Sequence, residues 1–144
     1  MNPEETKWLF ATLRKINFFS SLSMGDIEEL IEKFEKYDYP RGRKILKEKK
    51  TGEAFFVIYK GKVDVTRKVS LFKTKFLKEL PAGSFFGEIS LISNEPTTAT
   101  VTAKEPCEVF ILLKTDFMRI LKQNPKLEDD IRFVAEKRQF EQTM

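Results

Sequence analysis

The stretch FGEISLISNEPTTATV, residues 86–101, says most about how this chain folds. Gly87 permits a tight backbone, Glu88 supplies a carboxylate, and Pro96 ends any helix that starts between them. The residues after the proline are β-branched and return to strand. A strand, a short helical turn and a second strand direct several backbone N–H groups at one point, which creates an anion-binding concavity. The stretch therefore predicts a phosphate-binding loop.

Composition restricts the class of protein. The chain has 144 residues, 41% hydrophobic and 33% charged, which is typical of one soluble globular domain with a real core. Histidine is absent and Cys107 is the only cysteine. We therefore expect no disulfide, no metal site, no cofactor and no enzymatic activity, and a reducing, cytoplasmic location. Fourteen phenylalanines indicate core packing rather than base stacking.

Positive charge is concentrated in two segments. The formal net charge is +4, with six basic residues against one glutamate in residues 41–50 and seven against Asp64 in residues 60–78. Strands of this kind can bind phosphate, nucleic acid or an anionic membrane. They can equally be solvated strand faces and edges protected by lysine, the interpretation that the sequence alone favours.

The order of predicted elements is helices, strands, helices. Asn2 and Ser23 are expected to cap two helices within residues 3–35, and Thr115 is expected to cap the first helix of residues 115–142. Between them, in residues 37–113, short strands alternate with turn residues, which predicts an antiparallel sandwich or barrel and an α+β domain spanning residues 1–144. The predicted strands are Lys44–Leu46, Ala54–Tyr59, Lys62–Val69, Lys73–Leu80, Thr98–Thr102 and Glu108–Leu113.

Three segments carry a resemblance to a known family. They are LRKINFFSSLSMGDIEELIEKF (residues 13–34), PRGRKILKEKKTGEAFFVIYKGKVDV (residues 40–65) and FGEISLISNEPTTATV. In this order and spacing the chain resembles the cyclic nucleotide-binding domain family of the catabolite activator protein, the regulatory subunits of cyclic-AMP-dependent kinase and cyclic-nucleotide-gated channels. The resemblance implies an antiparallel β-roll, a jelly-roll-like double-stranded β-helix, flanked by N-terminal and C-terminal helices.

The resemblance also implies roles for residues of the third segment, the phosphate-binding cassette. Glu88 would accept a bond from the ribose 2′-hydroxyl, backbone N–H groups near Gly87 would hold the sugar and phosphate, and Thr98 would touch the cyclic phosphate. The implied cassette residues are Phe86, Gly87, Glu88, Ile89, Ser90, Thr97, Thr98 and Ala99. On the last helix, Arg132 and Phe133 would form a lid over the base; alternatively they are core on one side and solvated charge on the other.

Two positions depart from the family. Thr97 stands where the family carries its phosphate-binding arginine, and Lys49 stands where a turn glycine is usual. Losing a charged bidentate partner for a buried phosphate costs about 3–5 kcal/mol, or about a hundredfold to a few thousandfold in affinity. Thr97 is either a weak ligand donor or simply a β-branched residue suited to the start of a strand.

Two functions follow as hypotheses. The first is a regulatory sensor module that binds cAMP or cGMP, weakened by the missing arginine, and acts on a protein partner or a fused effector domain. The alternative is a degenerate domain of the same fold that binds no nucleotide and serves protein interaction or dimerisation. For either function, a homodimer through the C-terminal helices is a possible assembly. A pocket for a less negatively charged ligand is a third hypothesis. Because the chain stops soon after Pro125, no DNA-binding module is expected.

Overall fold

Two antiparallel four-stranded sheets form the centre of the described part of the chain. The computed structural model describes residues 1–16, 19, 22–88, 95–129, 132–133 and 136–137. The helices are α1 (Pro3–Lys15), α2 (Met24–Lys33) and α3 (Lys114–Gln123), and helical backbone continues at 125–129, 132–133 and 136–137. The strands are β1 (Glu35–Tyr39), β2 (Lys44–Leu46), β3 (Ala54–Lys60), β4 (Val63–Ser70), β5 (Lys73–Leu80), β6 (Phe85–Phe86), β7 (Thr100–Ala103) and β8 (Cys107–Leu113).

The strand order identifies the fold. One sheet runs β1-β8-β3-β6 and the other β2-β7-β4-β5, with antiparallel pairing throughout the described ladders. Strands that follow one another in the chain, such as β1 and β2 or β6 and β7, lie in different sheets, as in a roll. The predicted α+β β-roll with flanking helices is confirmed.

The helix starts follow local capping chemistry. Asn2 accepts the Glu5 N–H at 2.8 Å, with Glu5 bonding back to the Asn2 N–H, and Ser23 accepts the Asp26 N–H at 3.1 Å. Both predicted caps are confirmed. The predicted Thr115 cap is wrong, because α3 begins at Lys114 directly from the end of β8 and Leu113 occupies the cap position without a side-chain bond.

Two starts differ from the prediction by two residues, that of the β-region and that of β7. Strand β1 begins at Glu35, two residues before the predicted start of the β-region, because it pairs fully with β8 although its side chains are mostly exposed. At β7, Thr98 and Ala99 precede the strand, which starts at Thr100. The segment before β7 bonds to a loop instead of a neighbouring strand, as described below.

Strand β3 separates two hydrophobic cores. Phe55 and Val57 face the helices and form a helical core with residues of all three, whereas Phe56 and Ile58 face the second sheet and form an inter-sheet core. This division follows from the alternation of side chains along a strand. The helical core is aromatic around Phe55, whose ring centroid lies 5.7–6.4 Å from four others, those of Phe19, Phe34, Phe85 and Phe117.

A charged network joins α1 to the first sheet. The Lys36 ammonium on β1 lies 2.8 Å from a carboxylate oxygen of Glu5 on α1 and 2.8 Å from one of Glu108 on β8. Bonding to Lys36 lowers the pKa of both carboxyl groups below their ordinary values, and bonding first to Glu108 and then to Glu5 raises the pKa of Lys36. The network is thus fully charged across the neutral range.

The network should make the fold acid-sensitive. Because the carboxyl pKa values are lower in the folded state, their stabilisation is present above the unfolded-state pKa and is lost as pH falls through the folded-state pKa. The variant Glu5→Gln should therefore unfold at a lower temperature than the wild type near pH 7, and the difference should shrink as the pH falls below the ordinary glutamate pKa of about 4.3 and through the lowered folded-state pKa. Thermal melts followed by circular dichroism test this, with Glu4→Gln on the same helix turn as the exposed control. A Glu5→Gln deficit that persists at the acid end would contradict it.

Among the described residues, no helix combines the length and apolar character needed to cross a bilayer.

Candidate functional site

The cassette begins with a backbone conformation that only glycine tolerates well. Gly87 has φ +90°, and a Cβ there would lie 2.7 Å from the carbonyl oxygen of Ala54 and 3.0 Å from the Phe56 ring. Just before it, Phe86 stacks on Phe56, with ring centroids 4.7 Å apart and planes 6° from parallel. The chain is therefore pressed against β3 at the point where it leaves β6, and that contact fixes where the next residues go.

Glu88 follows in helical backbone and is only 2% exposed. A carboxylate is rarely buried to this extent without a structural or binding role. The structure therefore places Glu88 in the interior at the start of the cassette, next to Gly87. Its assignment to the ribose stays a prediction. Ile89 and Ser90, the next predicted site residues, lie outside the described residues.

Thr97 closes the cassette through four hydrogen bonds. Its side chain is 5% exposed, and its hydroxyl donates to the Lys47 carbonyl and accepts the Lys50 N–H at 3.1 Å. Its backbone N–H donates to the Lys50 carbonyl at 2.9 Å, and its carbonyl accepts the Lys49 N–H at 2.8 Å. We call this arrangement the Thr97 clamp. The hydroxyl proton is committed within the protein, which favours the structural interpretation of Thr97; its part in ligand binding stays a prediction.

The loop that Thr97 clamps contains Lys49, the position at which the resemblance implies a turn glycine. Lys49 has φ +61°, the left-handed conformation for which glycine is usual. A non-glycine residue there costs on the order of 1 kcal/mol, which the bond from the Lys49 N–H to Thr97 helps to offset. Lys47, Lys49 and Lys50 all have exposed side chains. The clamped loop thus carries three basic side chains in solvent.

The residues after Thr97 lead into the inter-sheet core. Thr98 is half-buried, and Ala99 is buried in the inter-sheet core. Thr100 is joined to the clamped loop a second time, because it donates to the Glu48 carboxylate at 3.1 Å and accepts the Glu48 N–H at 3.2 Å. Sequence reasoning missed both Glu48 and Thr100. Residues 52 positions apart give no local signal of such a pairing.

A cavity of about 350 Å³ opens beside the cassette. Its apolar wall includes Ala54 and Phe56, the residues against which Gly87 packs. Its charged residues are three carboxylates, Glu35, Glu53 and Asp116, against one cation, Lys33. The volume suits a small ligand, but this charge balance disfavours an anion. The cavity lining therefore does not favour a phosphate.

The predicted lid residues lie on the last helical segment. The Arg132 guanidinium lies 3.2 Å from the Glu128 carboxylate one turn earlier, and Phe133 is 70% exposed. Phe133 is thus not a core residue, contrary to the alternative interpretation. Its role as a lid stays a prediction.

Comparison with known proteins identifies the family. Residues 36–124 match the model of the cyclic nucleotide-binding domain. The chain belongs to this family. The chain is 32% identical over 120 residues to the cGMP-dependent protein kinase egl-4 of Caenorhabditis briggsae, which covers 82% of the chain and 16% of that kinase. It is 32% identical over 109 residues to the cAMP-dependent protein kinase regulatory subunit of Eremothecium gossypii, covering 76% of the chain and 23% of that subunit.

Solved structures agree with the cyclic nucleotide-binding fold. The structure of cAMP-bound PfPKA-R superposes with a TM-score of 0.80 at 25% identity, covering 83% of this chain and 43% of that one. The regulatory domain of Toxoplasma gondii PKA with cAMP also superposes with a TM-score of 0.80, at 20% identity, covering 93% of this chain and 51% of that one. At this identity the likeness shows the fold alone. The chain spans less than a quarter of the length of the two curated relatives, and the matched family is a binding domain and not a catalytic one.

Proposed function

We propose that this chain is a regulatory sensor module that binds cAMP or cGMP weakly through the cassette. The observation that carries the proposal is the preserved start of the cassette: Gly87 packed on β3, followed by the buried carboxylate of Glu88. Membership of the cyclic nucleotide-binding family supports this use of the two residues.

Weak binding follows from the lack of a positive charge at position 97. The clamp leaves Thr97 no second proton to donate, so the phosphate would be held by backbone N–H groups and by the lysines of residues 47–50. Exposed lysines act through water and are screened by salt, so each contributes less than a buried arginine. Affinity in the high micromolar to millimolar range is expected.

The same clamp is the specific observation in favour of a second candidate. The Thr97 hydroxyl already donates one hydrogen bond and accepts another within the protein. Residue 97 therefore serves the fold without any ligand. A degenerate domain that has lost nucleotide binding and acts through protein interaction or dimerisation would look the same at this position.

Calorimetric titration with cAMP, cGMP and 2′-deoxy-cAMP tests the proposal. If Glu88 accepts the ribose hydroxyl, wild type should bind cAMP about tenfold to a hundredfold more tightly than the 2′-deoxy analogue, the usual value of a hydrogen bond to a charged group. In Glu88→Gln that preference should shrink to a few-fold at most. Glu128→Gln, on the distant last helical segment, is the matched control and should keep the preference.

The outcomes separate the two candidates. Heat of binding that saturates, with a 2′-hydroxyl preference that depends on Glu88, supports the sensor. No binding heat with either nucleotide at concentrations up to about 10 mM, from a protein that melts cooperatively, overturns it in favour of the degenerate domain. Binding without any 2′-hydroxyl preference would remove the role of Glu88.

The output of the module is expected to pass through the helices. Phe85 of β6 contacts Phe55 of the helical core, and the next residue, Phe86, stacks on Phe56 and begins the cassette. A ligand that moves the cassette would therefore bias the packing of the helices, and a fused effector domain or a protein partner would respond to that change. A homodimer through the C-terminal helices and a cytoplasmic location belong to the same proposal.

A further inference from the structure

The hairpin of β4 and β5 extends beyond its sheet. Strand β7 pairs with β4 only from Val63 to Thr66, whereas β4 and β5 pair on to Ser70 and Lys73. Residues 67–76, which we call the distal ribbon, are therefore two strands with no third strand beside them in the described structure. Two-stranded ribbons are only marginally stable on their own. Apolar side chains that stay in water do not stabilise such a ribbon, so their presence there calls for another explanation.

The tip of the distal ribbon is apolar and in water. Leu71 is 76% exposed and Phe72 is 94% exposed, and behind them Val69 and Phe76 are about half exposed. The prediction that the phenylalanines are core residues is thus wrong for Phe72 and Phe76. Single exposed apolar side chains are ordinary, but four within eight residues at a projecting tip are typical of a binding surface.

Positive charge lines both strands behind the tip. Residues 66–78 contain five basic residues and no acidic one, namely Arg67, Lys68, Lys73, Lys75 and Lys78. The nearest carboxylate along the chain, Glu79, lies at the base of the hairpin and pairs there with Lys62 and Lys104. The ribbon is therefore a convex cationic arm with an apolar end.

We propose that the distal ribbon docks on an anionic lipid bilayer. Leu71 and Phe72 would enter the boundary between headgroups and acyl chains, and the basic residues would lie against lipid phosphates. The charge pattern favours this occupant. In an anionic bilayer the charged headgroups lie outside the apolar acyl chains, so an entering ribbon would bring its apolar tip to the acyl boundary and its basic residues to the headgroups. The proposal is independent of nucleotide binding.

The base of the ribbon is tied to the cassette end of the roll. The Lys68 N–H donates to both oxygens of the Glu48 carboxylate, at 3.1 and 3.2 Å, and Glu48 also binds Thr100. Docking would thus orient the domain with respect to the membrane, because the ribbon is anchored to the same loop as Thr97.

Co-sedimentation with vesicles tests the proposal. The whole chain is mixed at low salt with vesicles of phosphatidylcholine alone or of phosphatidylcholine with about one-third phosphatidylserine, the anionic lipid to which basic segments respond. Wild type should sediment with the anionic vesicles and stay in solution with the neutral ones. Replacing both tip residues, as Leu71→Ser with Phe72→Ser, should weaken binding by about a hundredfold, since each buries a large apolar side chain. Lys73→Glu with Lys75→Glu should weaken it by about 25-fold or more.

Matched variants elsewhere on the surface are the controls. Met24→Ser replaces another exposed apolar side chain, and Lys7→Glu with Lys126→Glu reverses two other exposed lysines. Both should bind anionic vesicles more tightly than the tip and ribbon variants do. Wild type that does not sediment with anionic vesicles, or a serine tip variant that sediments as well as wild type while melting normally, overturns the proposal. The first of these results would leave an acidic protein surface as the occupant of the tip.

Discussion

Arginine at position 97 is expected to tighten the binding of cAMP or cGMP by at least about tenfold and by up to a few thousandfold. Under the proposed function, the packed Gly87 and the buried Glu88 begin the nucleotide site, and a charged donor for the phosphate is missing at position 97. Arginine supplies two parallel N–H bonds and a full positive charge in a place shielded from water, where such a pair is strongest. The gain is measured by calorimetric titration of Thr97→Arg beside the wild type.

Losing the clamp must be separated from gaining the charge. Thr97→Met removes the hydroxyl that bonds to Lys47 and Lys50 without adding charge, so it reports the cost of the clamp alone. Both variants should lose about 1–3 kcal/mol of unfolding free energy in urea, while only arginine should gain affinity. If the arginine variant folds and still gives no heat with either nucleotide, the cassette is not a phosphate site, and the degenerate domain is the correct description.

The variant Phe55→Ala is expected to destabilise the fold by about 3–5 kcal/mol. Phe55 is fully buried, and its ring packs between helix residues such as Phe117 and the β6 residue Phe85. Its removal leaves a cavity where the sheet meets the helices, and the surrounding rings are too rigid to fill it. A loss of this size is a large part of the total stability of a domain of this length.

Chemical denaturation measures this loss, and the chain provides a matched control. Phe72→Ala makes the same substitution at a side chain that is 94% exposed, so the unfolding free energy should change by no more than about 0.5 kcal/mol. A Phe55→Ala variant that loses less than about 1 kcal/mol would show that the aromatic cluster is not the main contact between helices and sheet.

Local chemistry explains what could be predicted of the fold. The caps at Asn2 and Ser23 involve residues three positions apart, so the sequence indicates them directly. Strand β1 is missing from the predicted strands because its side chains are mostly exposed and show no apolar alternation, while pairing with β8, more than sixty residues away, defines it. The Thr115 cap failed for a similar reason, since α3 starts where β8 ends and not where a capping side chain stands.

The candidate site, too, was predictable only where the signal is local in the sequence. The tight backbone at Gly87 was predictable from one residue type, and the resemblance indicated the carboxylate beside it. The Thr97 clamp was not predictable, because its partners Lys47 and Lys50 lie about fifty positions earlier and bond through backbone atoms that any residue has. The exposure of Phe72 was missed because phenylalanine content alone does not distinguish a core from a tip.

The alternation along β3 has a consequence for mutational scans of this strand. The odd-numbered positions, Phe55 and Val57, belong to one core, and the even-numbered positions, Phe56 and Ile58, belong to the other. Small substitutions such as Val57→Ala should detach the helices first, whereas Ile58→Ala should loosen the roll around the cassette first. Four consecutive residues would then alternate between two classes of phenotype, so a single strand would report separately on the packing of the helices and on the packing between the two sheets.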